Sequence, residues 1–451
     1  MVFSQLFEVN HKMFMKLLLT YLRTFYAAFL KIIVRIYTII IWIISRKISI
    51  VFWHSFLILT LTYFWLNQPI AHDSEEKFLT NLVIVKEVLF GSEASGTYTK
   101  DLICINTHYS KQLVDAYSAF GLIRGESVIT DRIELATLFN AIGQYNNHAY
   151  IVCDIMFDRV SQYDNQLEQA FRKTKNIIVP QHLINDSLIK PIFSVNSALV
   201  MYLSSLYSNQ FSKFQILWHD SLKSIPICMY NAIDSKNVIK KGWFYFDDGR
   251  LCFNSSFIDF KVKDIKWTES KTTLGDNSVD SDLYYYDLAQ FLKLIKYSNK
   301  EETLRFLKDK IILIGSFEKE DIHNTIYGNV PGILILYNTY LNLKEGLHII
   351  PVLLILVLFV VYLILSYRIF YALPGIKINL LSKINKSSLW LLLSTLLSYA
   401  ALFSLLSIIT YFVFHIIINI YLIALYFSLL ELIMKYLKRK NLRKNKLKSS
   451  G

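Results

Sequence analysis

KIILIGSF, residues 310–317, sets four aliphatic residues in a row ahead of Gly315. A short apolar run closed by a turn residue reads as a strand buried on both faces, as in a parallel sheet covered by helices. Three upstream runs repeat the pattern: DLICIN (101–106), YIVCDIMF (150–157) and NIIVP (176–180). Helical patterns lie between them. In residues 131–145, Ile133, Leu135, Leu138, Phe139 and Ile142 fall at near-helical spacing, with Thr130 or Asp131 placed as N-cap. Residues 166–175, QLEQAFRKTK, form a second short helix. Strand alternating with helix implies a mostly parallel sheet with flanking helices and right-handed crossovers. Residues 183–274 are less regular, and GWFYFDDGRLCF (242–253) places Asp-Asp-Gly where a turn joins two strands. This part reads as an antiparallel insertion.

Downstream of the last strand the chain changes character. Residues 389–430 contain no Asp, Glu, Lys or Arg. At roughly 20 apolar residues per crossing, that is enough for two membrane helices back to back. Residues 349–367 add a third C-terminal span and residues 48–66 an N-terminal one. Hydrophobic residues make up 53% of the chain and the mean hydropathy is +0.36, more than the cores of a soluble protein require. Residues 25–45 are apolar but carry Lys31 and Arg35, costly in lipid, so they read as an interfacial amphipathic helix. A membrane span there is the alternative. No cleavable signal is recognisable, and the first span is expected to stay as an anchor.

Charge sets the orientation. Seven basic residues face one acid before Asn67, and twelve face one acid after Leu347. The whole chain is +13, which leaves the middle net acidic. Positive segments stay in the cytoplasm. The expected order is a basic cytoplasmic N-terminus (1–47), a first span (48–66), an extracytoplasmic domain (67–347), three further spans (348–434) with a basic loop near 368–386, and a basic tail (435–451). Both termini then lie inside, and the protein sits in a bacterial inner membrane. The basic pI reports this topology and not nucleic-acid binding. The tail also suits anionic lipid.

The series ITDRIELATLFNAIGQYNNHAYIVCDIMFD, NIIVP, KDKIILIGSFEKEDIHNTIYGNVPGILILYNTYLNL and three membrane helices resembles the CHASE type 2 domain, a cyclase/histidine-kinase-associated sensory extracellular domain. It is similar in particular to the stand-alone form of bacteria of the Bacteroides kind. The resemblance implies an extracytoplasmic sensor. Family members usually place a kinase or nucleotide cyclase after the third helix, whereas only residues 435–451 follow Met434. A separate cytoplasmic kinase, cyclase or regulator is therefore the expected partner, beside the bilayer, an unidentified ligand and further copies of the chain.

In open α/β sheets, ligands lie beyond the carboxyl ends of the strands. Those ends give the candidate ligand-binding residues Asn106, His108, Asp154, Asp158, Ser316, Asp321 and His323, together with Arg132 at a helix start. Asp154 stands out, because a carboxylate within an apolar run requires a partner, for which Arg132 and His323 are candidates. Loop hydrogen bonding is the plainer role for it. Asp154, Asp321 and His323 are of metal-binding type but lack a ligating spacing. Gly315 and Gly332 sit in no phosphate-loop pattern. No nucleophile motif is recognisable, so neither an enzyme nor a cofactor nor a metal is expected. Cys104 and Cys153 read as small buried hydrophobes, while a Cys228–Cys252 disulfide stays open. His415 and Asn419, four apart, would share a face for helix packing. A ligand-relaying sensor is the leading reading, and a non-signalling envelope scaffold is the alternative.

Overall fold

The computed structural model describes residues 46–68, 73–90, 96–117, 123–184, 187–201, 211–219, 221–262, 284–371, 388–418 and 420–449. The amphipathic segment expected at 25–45, most of the basic loop near 368–386, and Asn419 lie outside them. The chain divides into two compact units, one from Met1–Tyr63, Ile355–Tyr399 and Ala424–Gly451, the other from Phe64–Leu354 and Ala400–Ile423.

The larger unit is built on a sheet. Strands β1 (Leu102–Asn106), β2 (Tyr150–Cys153), β3 (Ile177–Ile184), β4 (Tyr284–Asp287) and β5 (Ile311–Gly315) run parallel in the order β4-β1-β5-β2-β3. Ser187–Ile189 pairs antiparallel to β3, and Ser197–Leu199 pairs parallel to it. The helices are α1 (Arg132–Gly143), α2 (Asp164–Lys173), α3 (Ile225–Asp234), α4 (Leu288–Tyr297), α5 (Lys300–Leu307) and α6 (Gly332–Glu345). Every residue of β1, β2 and β5 is buried, which is why these strands read as unbroken apolar runs. Successive side chains alternate between two cores. Ile103, Ile105, Ile151, Cys153, Ile312 and Ile314 pack with α1, α2, α4 and α5. Leu102, Cys104, Val152 and Leu313 pack with α3 and α6.

Local signals explain the ends. Asp131 caps α1, its carboxylate accepting from the amides of Ile133 and Glu134 at 2.8 and 3.0 Å. Three inserted strands, Val238–Lys241, Phe244–Asp247 and Arg250–Cys252, form the expected antiparallel meander. Its second turn has Asp248 at φ 46° and Gly249 at φ 81°, the left-handed pair of a two-residue hairpin. β4 and the helix Asp73–Phe90 were not expected. The strand foreseen over 150–157 stops at Cys153.

Helix α6 is buried from Gly332 through Leu343, so its polar residues must be satisfied inside the protein. Asn338 and Asn342, one turn apart, serve residues 259–262. Asn338 Oδ1 accepts from the amides of Lys261 and Val262 at 2.8 and 2.9 Å, and its Nδ2 donates to the Val262 and Leu334 carbonyls, both at 2.8 Å. Asn342 accepts from the Asp259 amide at 3.0 Å and donates to its carbonyl at 2.9 Å. Two side-chain amides thus replace a strand partner for this segment. The helix ends at Gly346, φ 74°, in a left-handed turn.

Among the described residues, three stretches are long and apolar enough to cross a bilayer: Ser49–Leu66, Val352–Phe370 and Leu393–Phe414. The fourth expected span falls on the helix Ile420–Ser449, where Glu431 and Lys435 interrupt the apolar run. His415 does not sit within one long helix. It adopts φ 57° immediately after the helix Ser388–Phe414, and Asn419, its expected companion on a shared face, lies outside the described residues. Within the smaller unit, polar side chains pair between helices: His54 Nδ1 with Ser366 Oγ at 2.7 Å, Thr62 with Tyr362 at 3.0 Å, and the Tyr399 hydroxyl with Glu431 at 2.7 Å.

Candidate functional site

A cavity of about 420 Å³ opens at the carboxyl ends of β2 and β3. Asp154 and Met156 enter it from the chain leaving β2, and Pro180 and His182 from β3. Asp321 and His323 come from the hairpin that follows β5, and Gly332, Ile335 and Leu336 from the first turns of α6. Val200, Met201, Phe211 and Phe214 complete an apolar wall.

The pleat determines which polar groups arrive here. Val152 points to the core of α3 and α6 and Cys153 to the core of α1 and α2, so Asp154 returns to the α6 side. Two glycines leave room. A Cβ on Gly315 would stand 3.5 Å from the Asp154 Cβ and 3.3 Å from Ile333 Cδ1. A Cβ on Gly332 would stand 2.8 Å from both carboxylate oxygens of Asp321. The Asp321 carboxylate thus lies against the start of α6, where the helix dipole favours an anion.

Burial first, and the neighbouring Asp321 charge second, together push the Asp154 carboxyl up to about 8. A second carboxyl nearby disfavours another negative charge, so the Asp154 carboxyl keeps its proton at neutral pH. His323 Nε2 lies 3.1 Å from Asp321 Oδ1. Burial pushes the His182 imidazole down, against the pull of Asp158, so it is neutral at neutral pH. Among the described residues no three His, Cys, Asp or Glu side chains stand in an arrangement that holds a metal ion.

Of the residues expected from strand ends, Asp154, Asp321 and His323 converge on this cavity, and the others do not. Arg132 is not the partner of Asp154. It is fully buried on the opposite face of the sheet, with its guanidinium 4.4 Å from the Phe157 ring centroid and Nε 3.5 Å from Asp164. Asn106 is a structural tie: it donates to Asp287 at 3.0 Å and accepts from the amides of His108 and Phe317 at 3.1 and 3.3 Å. His108 faces Glu320 at 3.6 Å, beside the Lys111–Glu320 pair at 3.0 Å. Ser316 buries its hydroxyl without a hydrogen bond, and Asp158 is exposed. Met156, Met201, Phe211 and Phe214 were not foreseen, since nothing local in the sequence marks them as lining. All four cysteines are free thiols, so Cys228 and Cys252 form no disulfide.

No match was found among curated proteins or among solved structures. The CHASE2 domain matches the chain over residues 115–367, a stretch that contains β2 to β5, the whole cavity and most of the first long apolar helix after it, Val352–Phe370. That match covers more than half of the protein, which belongs to the CHASE2 domain family of sensory domains.

Proposed function

We propose that this chain is a membrane-bound sensor: a ligand occupies the cavity over Asp154 and Asp321 outside the cytoplasm, and its binding is relayed through the C-terminal helices to a separate cytoplasmic kinase, cyclase or regulator. The observation that carries this is the place of α6 in the chain. Its first turn lines the cavity, and only residues 346–351 separate its end from the apolar helix Val352–Phe370. A ligand shifts such an element only by binding one of its positions more tightly than another.

The junction is built to hold a position. The amide of Ile350 donates to the Leu251 carbonyl at 2.9 Å, and that of Phe253 to the His348 carbonyl at 2.8 Å. The buried His348 ring meets Asp247 at 3.2 Å, and the Tyr230 hydroxyl donates to the same carboxylate oxygen at 2.9 Å. In this reading the chain crosses the inner membrane four times, with the helix after Ile420 as the last pass and Glu431 and Lys435 at its cytoplasmic end. It performs no catalysis itself.

The test is crosslinking and affinity purification of the intact protein from its native membrane, beside a variant lacking residues 435–451. Recovery of a cytoplasmic regulator that is lost with the tail supports the relay. Recovery of envelope proteins alone, or of copies of the chain alone, refutes it in favour of a scaffold. Fusion reporters placed in residues 372–387 and after residue 449 check the four-pass topology, both being expected on the cytoplasmic side.

A further inference from the structure

We propose that the cavity over Asp154 and Asp321 binds an organic amine, a monocation whose apolar body is about the size of an aromatic ring. This deepens the sensor reading and rests on it for its biological meaning, though the binding itself does not depend on the relay. Three observations lead to this ligand class. The volume of about 420 Å³ is that of a small-molecule site. Its charged groups are two carboxyls, and no Lys or Arg lines it. Its walls are Met156, Met201, Phe211, Phe214, Ile335 and Leu336, which offer an ammonium's substituent apolar contact and the ammonium itself aromatic faces.

Asp154 accepts no hydrogen bond from the described residues, so its carboxyl oxygens are available to a donor that the protein does not supply. An ammonium brings three N–H donors and one positive charge to a pair that otherwise holds a single negative charge. An anion finds no Lys or Arg here. A neutral alcohol leaves the two carboxyls competing for one proton.

On binding, the Asp154 proton leaves to solvent and the ammonium takes its place between the carboxylates. The groups that face Asp154 are Asp321 and His323 from the hairpin, His182 from β3 and the first turn of α6; β5 presents only Gly315. Affinity therefore rises with pH as the proton becomes easier to displace, while aliphatic amines stay protonated over the same range.

The experiment is calorimetric titration of the full chain in detergent micelles with 2-phenylethylamine, hexylamine and cyclohexylamine, and with 2-phenylethanol and phenylacetate as matched neutral and anionic probes. At least one amine is expected to bind about tenfold more tightly at pH 8 than at pH 6, with release of a proton. The matched alcohol and acid should bind at least tenfold more weakly. Asp154→Asn and Asp321→Asn, shown to be folded by their melting transitions, should each lose at least tenfold in amine affinity. The proposal is overturned if no amine binds below about 1 mM, if the alcohol or acid binds as well, if both variants bind like the parent, or if Ca²⁺ or Zn²⁺ displaces the amine. Amine binding that leaves partner recovery unchanged upholds the ligand class and sinks the relay. A recovered partner with no amine binding sinks the ligand class alone.

Discussion

Replacing Asp154 by asparagine should stabilise the protein, and by an amount that grows with pH. Asparagine keeps the shape of a protonated aspartic acid but has no proton to lose. In the native state burial raises the Asp154 carboxyl from 3.8 to about 8. A raised carboxyl binds its proton more tightly in the folded than in the unfolded chain. Its contribution to stability is therefore fully present below pH 3.8 and is lost as the pH climbs toward 8. At ~1.4 kcal/mol per unit, the loss reaches ~4 kcal/mol by pH 7. Water in the cavity screens the pair, and half of that figure is the lower expectation. With roughly 2 to 4 °C of Tm per kcal/mol in a domain of this size, the variant should melt about 4–16 °C above the parent at pH 7 and close to it at pH 4.5. The assay is intrinsic fluorescence of the full chain in detergent micelles at a fixed heating rate, scanned from pH 4.5 to 8.5, with the difference between the two proteins as the readout. Titrating groups that do not interact with Asp154 cancel in that difference. A variant that melts below the parent at pH 8, or a difference flat in pH, would mean that Asp154 is an ordinary paired carboxylate, and the one-proton site would fall with it.

Asn338→Ala removes an amide that makes four hydrogen bonds in a fully buried place, orphaning the amides of Lys261 and Val262, and should cost about 3–5 kcal/mol by chemical denaturation. Asp247→Ala should cost about 2–4 kcal/mol at pH 7. Burial opposes the Asp247 charge, but hydrogen bonds from His348 and Tyr230 outweigh it and hold the carboxyl below its ordinary range. The stability it supplies is present above pH 3.8 and lost as the pH falls further, so the gap between variant and parent should narrow in acid. Gly332→Ala should leave the fold intact, since the atoms nearest its Cβ are those of the Asp321 carboxylate, the end of a side chain that can swing aside. Displacing that carboxylate should nonetheless lower amine affinity at least tenfold by calorimetry, and unchanged affinity would remove Asp321 from the site.

The parts of the fold that the sequence makes legible are those where burial is complete. β1, β2 and β5 lie between two helical layers, so the residues along them are apolar up to the hydrogen-bonded Asn106 at the end of β1, and the runs ICI, IVC and IILI announce them. β4 reads YYYD, and it stands at the edge of the sheet, where only β1 pairs with it, so the demand for aliphatic residues is relaxed. The buried helix α6 is visible as ILILYNTYLNL, but the use of its two asparagines is not. Their partners are backbone groups of residues 259–262, which carry no sequence signal. The insertion of β5 between β1 and β2 is equally silent, because strand order depends on crossovers and not on composition.

That order decides which strand ends meet. β5 lies directly beside β2, so the hairpin that follows β5 brings Asp321 and His323 to the residue that follows β2. The ends of β1 and β4, on the other side, close on each other through Asn106 and Asp287. A list of strand-end residues thus contains the site, but it cannot say which members belong together until the neighbours are known. The side of the sheet is a separate choice, and the pleat makes it. Asp154 follows Cys153, which faces α1, and so it turns away from Arg132 and toward Asp321. A shift of one residue would give the carboxylate a buried arginine instead of a second acid. The cavity would then lose the pair of carboxyls on which the proposed amine site rests.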